Sequence, residues 1–227
     1  AWASDYDEDA CKTYRENLCP DSNDSVICKD VRHLSLSELS PIDCFAYGFP
    51  CNDFSIVGEQ KGFAGEYGPL YVYGVEVLNR FKPKFFVAEN VSGLVSANNG
   101  KAFKQIIEDL RTAGNGYNIT AHLYKAEEYG VAQCRHRIIV VGIDRTLGKF
   151  FRVPAPTTKD KPLTAQAAIE DPPIPPDAPN NERTRQSKQV IRRLRHIKPG
   201  ENAWTANIPE ELQLNVSKAR LSHIYRR

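Results

Sequence analysis

The sequence of 227 residues has no methionine, only two tryptophans, and no apolar run near the roughly 20 residues that a membrane-spanning helix needs. Its start, AWASDYDEDACKTY, lacks the basic and apolar regions of a signal peptide. The six cysteines form no C-x-x-C pair and have no histidine pair nearby, so neither a zinc site nor a redox motif is indicated. We therefore expect an intracellular protein without a metal or a membrane span.

The even number of cysteines leaves a secreted, disulfide-bonded protein as an alternative. The chain is 41% apolar, however, and it is long enough for one well-buried domain and a smaller appendage. A core of that size does not need disulfide links. We expect all six thiols to be free.

The charge of the chain is unevenly distributed. Residues 183–227 carry eleven Lys and Arg against three Asp and Glu, a local charge of +8 within a net charge of +2. A basic segment on a mildly acidic body is typical of a protein that binds a polyanion, although a solvated basic helix gives the same pattern.

Apolar residues recur at helical and at strand spacing along the first 150 residues. They predict helices at about 7–18, 70–80 and 101–113, and strands at 42–47, 84–88, 117–124 and 136–143. Strands that alternate with helices predict an α/β fold with a mostly parallel sheet and an antiparallel pair at one edge.

Eight prolines occur in the 26 residues from Pro154 to Pro179, which predicts a stretch without regular helix or central strand. This stretch separates a first domain, residues 1–153, from a basic segment, residues 183–227, with a linker at 154–182. Within the basic segment, RTRQSKQVIRRLRHI predicts a helix.

Polar side chains follow or precede predicted elements at three places. Cys51 comes after IDCFAYGFP, Glu89 and Asn90 follow KFFVA, and Asp5 precedes the first helix. Ligands of open α/β sheets bind outside the carboxyl ends of the strands, so these groups are candidates for a site. From the residues alone, Cys51 could also be a buried thiol or half of a disulfide, and the other three could be helix caps.

The segment QCRHRIIVV carries a second group of candidates. In an extended chain Gln133, Arg135 and Arg137 share one face. Two arginines on one face of an otherwise apolar strand are costly unless they meet anions or hydrogen-bond acceptors. The segment therefore predicts a site that binds such groups.

In their order and separation, GFPCNDFSIVG, AENV and QCRHR, with EYGPLY between the first two, resemble motifs of the DNA cytosine-5 methyltransferase family. The resemblance covers about residues 3–150 and continues more loosely beyond. It implies a Rossmann-like class I methyltransferase fold with part of a small target-recognition domain. It also implies S-adenosylmethionine as cofactor, duplex DNA as substrate, and a bacterial, cytoplasmic enzyme of restriction-modification.

The resemblance implies a role for each catalytic candidate. The thiolate of Cys51 would add to carbon 6 of a cytosine flipped out of the duplex, and carbon 5 would then take the methyl group. Glu89 would hold ring nitrogen 3, preferably as a protonated donor, and Asn90 would orient this loop. Arg135 and Arg137 would contact the base oxygen or a phosphate, or hold Cys51 in place.

The resemblance also implies two sets of binding residues. Expected at the cofactor are Asp5, Tyr6, Asp30, Phe49 and Leu70. Expected at the nucleic acid are Pro50, Ser55, Gln60, Lys61 and Gln133, of which the middle three lie on a glycine-rich loop predicted to close over the DNA.

The chain departs from the family pattern in several ways. Asn52 stands where glutamine is more usual, and the glycine-rich F-x-G-x-G motif and the later Gly-Asn motif are absent. With no methionine either, we expect a fragment, or a split enzyme that a second polypeptide completes. A tRNA cytosine-5 methyltransferase on the same fold and a non-catalytic DNA-binding or regulatory module are the alternative functions.

Overall fold

The structure, a computed structural model, describes residues 1–22, 25–50, 70–179, 181 and 185–214. The chain divides into two compact units, Ala1–Ala168 and Ile169–Arg227. The division falls inside the proline-rich stretch. No helix among the described residues is long and apolar enough to cross a membrane.

Strands and helices alternate in the first unit, as the apolar spacing predicts. In chain order, the described elements of this unit that position the site are β1 Ala3–Asp5, α1 Glu8–Leu18, β2 Val26–Cys28, β3 Cys44–Gly48, α2 Tyr71–Phe81, β4 Phe85–Val91, α3 Lys101–Thr112, β5 Tyr117–Lys125 and β6 His136–Asp144. The helices predicted near 7–18, 70–80 and 101–113 are confirmed to within a residue or two. The strand predicted at 84–88 (KFFVA) extends further than expected, because β4 continues through Glu89 and Asn90 to Val91.

The described strands form two sheets. One consists of β1 and β2 in parallel, and the other has the order β3-β4-β6-β5. Strands β3 and β4 are parallel, whereas β6 is antiparallel to both β4 and β5. The predicted antiparallel edge pair is therefore present, and the larger sheet is mixed, with two of its three pairings antiparallel.

One face of the larger sheet packs against α2 and α3. Ala102, Ile106 and Leu110 of α3 recur every four residues and are all buried, as one face of a helix requires. On the sheet, Phe86 is fully buried, and its ring meets that of Tyr117 edge-on with the centroids 5.0 Å apart. This face forms the main core of the unit.

Gly142 gives the Phe86 ring its place in the sheet. The two residues are opposite one another on β6 and β4, and a Cβ atom added at position 142 would overlap the ring. The glycine is therefore required by the close approach of an aromatic side chain and not by its backbone angles.

Trp2 connects the two sheets. It lies next to β1, and its ring centroid is 6.2 Å from that of Phe45 on β3 and 6.2 Å from that of Phe81 on α2. Its indole N–H donates to the carbonyl of Ser40 at 3.0 Å. The short β1–β2 sheet is therefore held against the larger one by aromatic packing.

The proline-rich stretch contains one helix that the proline count did not predict. Helix α4, Ala165–Glu170, lies in a proline-free run between Pro162 and Pro172. The expectation of no regular helix between 154 and 179 is wrong for this run, because proline excludes helix only where it or the residue before it must be helical.

The second unit has a small core of its own. Its apolar members are Ile197, Ala203, Ile208 and Leu212. Helix α5, Lys188–Leu194, confirms the helix predicted in the basic segment over those seven residues, and the side chain of Ser187 caps its start. Arg193 is buried and donates from Nε to the carbonyl of Leu212, whereas its neighbour Arg192 is exposed.

Candidate active site

The carboxyl ends of the parallel strands β3 and β4 lie side by side. Gly48, the last residue of β3, pairs with Glu89 of β4. A Cβ atom at position 48 would be 3.5 Å from Glu89 Oε2, so the carboxylate lies directly beside the glycine. Cys51 follows three residues later and lies, with Ser55, Gln60 and Lys61, outside the described residues.

Asn90 joins the ends of these two strands. It is 3% exposed, its side-chain N–H donates to the carbonyl of Phe49 at 3.1 Å, and its side-chain oxygen accepts from the backbone N–H of Val91 at 2.8 Å. Buried amides are costly unless hydrogen-bonded, and this one has both kinds of partner. Asn90 thus holds the backbone at Phe49, from which the chain continues through Pro50 to Cys51.

Glu89 forms an ion pair with Arg137. Arg137 Nε is 2.8 Å from Glu89 Oε1, and the side chains are 26% and 44% exposed, respectively. The Nη1 of Arg137 also donates to the carbonyl of His136 at 2.8 Å. The pair brings a carboxylate and a guanidinium together at the end of the sheet where β3 stops at Gly48.

The other two members of the Q-x-R-x-R segment are arranged differently from the prediction. Gln133 and Arg135 are exposed and precede β6, which begins at His136. Only Arg137 lies in the strand, so alternation along a strand does not place all three on one face. Strand β6 begins at His136 because its pairing with β5 extends only as far as Lys125 opposite His136.

Two other carboxylates lie at the carboxyl ends of the short sheet. Asp5 ends β1, and Asp30 follows β2 by two residues, while the backbone N–H of Lys29 donates to the Asp5 carbonyl at 2.8 Å. The Asp5 side chain also accepts from the N–H of Asp7 at 3.0 Å. Tyr6, which lies between Asp5 and α1 in the chain, is 76% exposed.

Asp30 is both a cap and an ion-pair partner. Its carboxylate accepts from the backbone N–H of Arg32 at 2.8 Å and lies 2.6 Å from Nη2 of the same residue. The hydrogen bond from the guanidinium lowers the pKa of Asp30 to about 2, with a further contribution from the Arg32 backbone. This carboxylate is therefore charged across the neutral range and can accept hydrogen bonds.

The remaining predicted binding residues lie near the end of β3 and the start of α2. Phe49 is 8% exposed, and its ring packs against those of Tyr47 and Tyr71 in the core. Pro50 is half-buried, and Leu70 immediately precedes α2. Phe49 thus has a packing role that its motif position did not reveal.

The sequence motifs did not single out one carboxylate beside the site. Glu127 lies in the short 3-10 helix Ala126–Tyr129, and its Oε1 is 2.8 Å from Nε2 of His136. Its Oε2 accepts from the backbone N–H of Arg135 at 3.3 Å. No periodicity or spacing in the sequence links these residues, because the contact depends on the path of the turn after β5.

The described part of the chain has no group of three or more His, Cys, Asp or Glu side chains able to hold a metal ion. The five cysteines within it are free thiols. The cysteine prediction is confirmed for these five, and Cys51 stays untested.

The candidate site thus lies at the carboxyl ends of β3 and β4 in a mixed α/β sheet, and solved structures share the fold. A protein described as a DNA modification methyltransferase encoded within a prophage (E. coli) aligns with 85% of this chain and 57% of its own, with a TM-score of 0.60 and 22% identity. The Entamoeba histolytica methyltransferase EhMeth aligns with 69% of this chain and 48% of its own, with a TM-score of 0.51 and 18% identity. The fold is that of the methyltransferases.

A family model described as C-5 cytosine-specific DNA methylase matches residues 1–227. The chain belongs to this family. It is 58% identical to the Type II methyltransferase M.BbvI of Brevibacillus brevis and 39% identical to M.NgoFVII of Neisseria gonorrhoeae, in both cases over 100% of its own length. It spans 62% and 60% of the lengths of these two relatives.

Proposed function

We propose that this chain carries the main part of the catalytic domain of a DNA (cytosine-5-)-methyltransferase of a bacterial restriction-modification system. The observation that carries the proposal is the junction at the ends of β3 and β4. There the buried Asn90 holds the Phe49 carbonyl, and Glu89 is paired with Arg137. Glu89 and Arg137 are the positions at which the family motifs require a carboxylate and an arginine, and the candidate nucleophile Cys51 follows Phe49 by two residues in the sequence.

The proposed reaction starts with Cys51. Its thiolate sulfur forms a bond to carbon 6 of the flipped cytosine, and the electron pair of the C5–C6 double bond moves to carbon 5, which takes the methyl group. A base then removes the proton from carbon 5, the double bond forms again, and the thiolate leaves. When bound, S-adenosylmethionine supplies the methyl group.

Glu89 and Arg137 would act on the base together. Negative charge develops on the ring around nitrogen 3 during the addition, so a group that donates a hydrogen bond or carries positive charge there lowers the barrier. Arg137 lies 2.8 Å from Glu89, which allows both side chains to face the same ring. Arg135, exposed ahead of β6, would reach a phosphate or the base oxygen.

The residues at the ends of β1 and β2 fit a nucleoside cofactor. The exposed carboxylate of Asp5 and the half-buried carboxylate of Asp30 would accept hydrogen bonds from ribose hydroxyls and an adenine amino group, and the exposed ring of Tyr6 offers a stacking surface. Phe49 and Leu70 would lie at the border between cofactor and base, and we retain them with the exposed Gln133 as binding residues.

We propose that residues 183–227 begin the target-recognition region. Lys188, Arg192 and Arg195 are exposed on or beside α5, which supports phosphate contacts. Pro50, Ser55, Gln60 and Lys61 would contact the DNA around the flipped base. The named relatives come from bacteria, so we expect the protein and its DNA in the bacterial cytoplasm. A complementing polypeptide remains our expectation if the chain is naturally split.

Covalent trapping tests the proposed function. Bacterial DNA in which part of the cytosine is replaced by 5-fluorocytosine contains every recognition sequence, and the fluorine blocks the final elimination. With S-adenosylmethionine present, we expect the chain to form an adduct that survives denaturing electrophoresis. The variant Cys51→Ser is expected to bind the same DNA without an adduct.

Cys44→Ser is the matched control for this test. It makes the same change seven residues earlier, at an exposed thiol whose pKa is raised by partial desolvation, and it is expected to trap DNA as the unchanged chain does. Trapping by Cys51→Ser would refute the nucleophile. A parallel incubation uses tRNA substituted with 5-fluorocytosine. If only the tRNA forms an adduct, the substrate is tRNA and not DNA. If the chain binds nucleic acid but forms no adduct with either, it is a non-catalytic module.

A further inference from the structure

The segment Arg135–Arg137 is held by a carboxylate from the turn that precedes it. Both oxygens of Glu127 contact this segment, Oε1 at 2.8 Å from His136 Nε2 and Oε2 at 3.3 Å from the N–H of Arg135. The backbone adds a third connection, because the N–H of Ala126 donates to the Arg135 carbonyl at 2.9 Å. The Glu127 side chain thus contacts two consecutive residues, Arg135 and His136, at the point where the pairing of β6 with β5 ends.

Glu127 is itself well anchored. Its carbonyl accepts from the hydroxyl of Thr158 at 2.8 Å, and the next carbonyl, that of Glu128, accepts from the N–H groups of Thr157 and Thr158, each at 2.9 Å. The Glu127 side chain is only 19% exposed, compared with 42% for His136. A mobile surface ion pair would contribute little to order, but a half-buried carboxylate on a fixed backbone restricts its partners.

The contacts continue from this turn to the site. The His136 carbonyl accepts from Arg137 Nη1 at 2.8 Å, and Arg137 Nε is 2.8 Å from Glu89. Movement of His136 would therefore move the guanidinium that faces Glu89. Arg135 lies just outside the paired part of β6, and its backbone N–H is next to the Glu127 carboxylate.

We propose that Glu127 is a positioning residue that sets the direction of Arg135 through its backbone N–H and that of Arg137 through His136, an inference that rests on the proposed function for its catalytic consequence. The carboxylate holds Arg135 and His136 at the point where the pairing of β6 with β5 ends. Its own backbone N–H and the His136 side chain lower the pKa of Glu127, so the carboxylate is charged at neutral pH and acts as acceptor for both contacts.

The first test measures position without catalysis. In the full chain, NMR hydrogen exchange of the Arg135 amide and of the Arg137 Nε–H group is compared between the unchanged protein, Glu127→Ala and Glu127→Gln. We expect exchange at both groups to be at least about fivefold faster in Glu127→Ala. Glu127→Gln retains an acceptor for the Arg135 amide and is expected to restore most of the protection there.

Glu108→Ala is the control variant. Glu108 is an exposed carboxylate 3.0 Å from Arg111 on α3, and its loss is expected to leave both exchange rates unchanged. Equal exchange rates in Glu127→Ala and in the unchanged chain would overturn the proposal. A general increase at all amides of β6 in Glu127→Ala would also overturn it, because it would indicate loss of the strand instead of loss of direction.

The second test measures the consequence for methyl transfer. We expect Glu127→Ala to lower kcat on bacterial DNA by about tenfold or more while KM for the DNA stays within about twofold, because misplaced groups at the base reduce the rate more than the affinity. An unchanged kcat with altered exchange would refute the catalytic consequence. If the unchanged chain transfers no methyl group to DNA or tRNA, the proposed function fails, and the exchange rates still decide whether Glu127 positions the segment.

Discussion

Removal of the Asn90 side chain provides a quantitative test of the junction between β3 and β4. The Asn90→Ala variant loses the bond to Val91 N–H, worth about 1 kcal/mol, and leaves the Phe49 carbonyl without a partner in the interior, which costs about 1–3 kcal/mol more. We therefore expect the free energy of unfolding of the first unit to fall by about 2–4 kcal/mol. Urea denaturation followed by far-UV circular dichroism measures this change.

Two further variants separate the hydrogen bonds from the volume of the side chain. Asn90→Leu keeps about the same volume but can neither donate to Phe49 nor accept from Val91, so it should destabilise about as much as Asn90→Ala. Asn118→Ala removes an amide that donates to the Lys149 carbonyl at 3.0 Å in an exposed setting, where water can replace it, and should cost no more than about 1 kcal/mol. An Asn90→Ala variant as stable as Asn118→Ala would refute the reasoning.

Three other predictions concern packing and ionisation. Gly142→Ala should destabilise the first unit by about 1–3 kcal/mol in urea denaturation, since the new methyl group overlaps the Phe86 ring, which is fully buried. Arg32→Ala should raise the pKa of Asp30 from about 2 toward about 3.9, measured by carboxyl ¹³C NMR. Burial raises the pKa of Tyr71, so stability should fall as pH rises above about 10, where the unfolded chain loses this proton first; Tyr71→Phe should reduce that loss in thermal unfolding at high pH.

The first of these predictions has a control variant, and each of the three has an outcome that would refute it. Gly148→Ala places a methyl group with no atom within 4 Å, at φ 61°, so it costs only backbone strain, about 1 kcal/mol. An equal cost at position 142 would contradict the packing argument. An Asp30 pKa unchanged in Arg32→Ala would show that the guanidinium is not its cause, and an unchanged stability slope in Tyr71→Phe would assign the alkaline loss to other groups.

The elements of the first unit could be predicted from sequence because they depend on local periodicity. Helix α3 was expected at about 101–113 and spans Lys101–Thr112, since Ala102, Ile106 and Leu110 repeat at helical spacing. The end of β4 could not be read in this way. Glu89 and Asn90 look like residues after a strand, but pairing with Ile139 and Ile138 of β6 carries the strand on to Val91.

In the candidate site, too, some features could be predicted from the sequence and others depend on tertiary packing. The motifs predicted Glu89 and Arg137 as site residues, and the structure brings these two side chains to 2.8 Å. The contact of Asn90 with Phe49 joins residues 41 positions apart, and that of Glu127 with His136 depends on the path of a turn. Neither leaves a repeating signal in the chain, because both result from tertiary packing. Gln133 and Arg135 were assigned to a strand face that begins only at His136.

The aromatic contact between the two sheets of the first unit has a practical use as a spectroscopic probe. The chain has only two tryptophans, and they are divided between the compact units, with Trp2 in the first and Trp204 in the second. Replacing either one with phenylalanine leaves a single fluorophore that reports on one unit alone. Emission from Trp2, packed between Phe45 and Phe81, would follow separation of the β1–β2 sheet from the larger sheet, and emission from Trp204 would follow unfolding of the second unit.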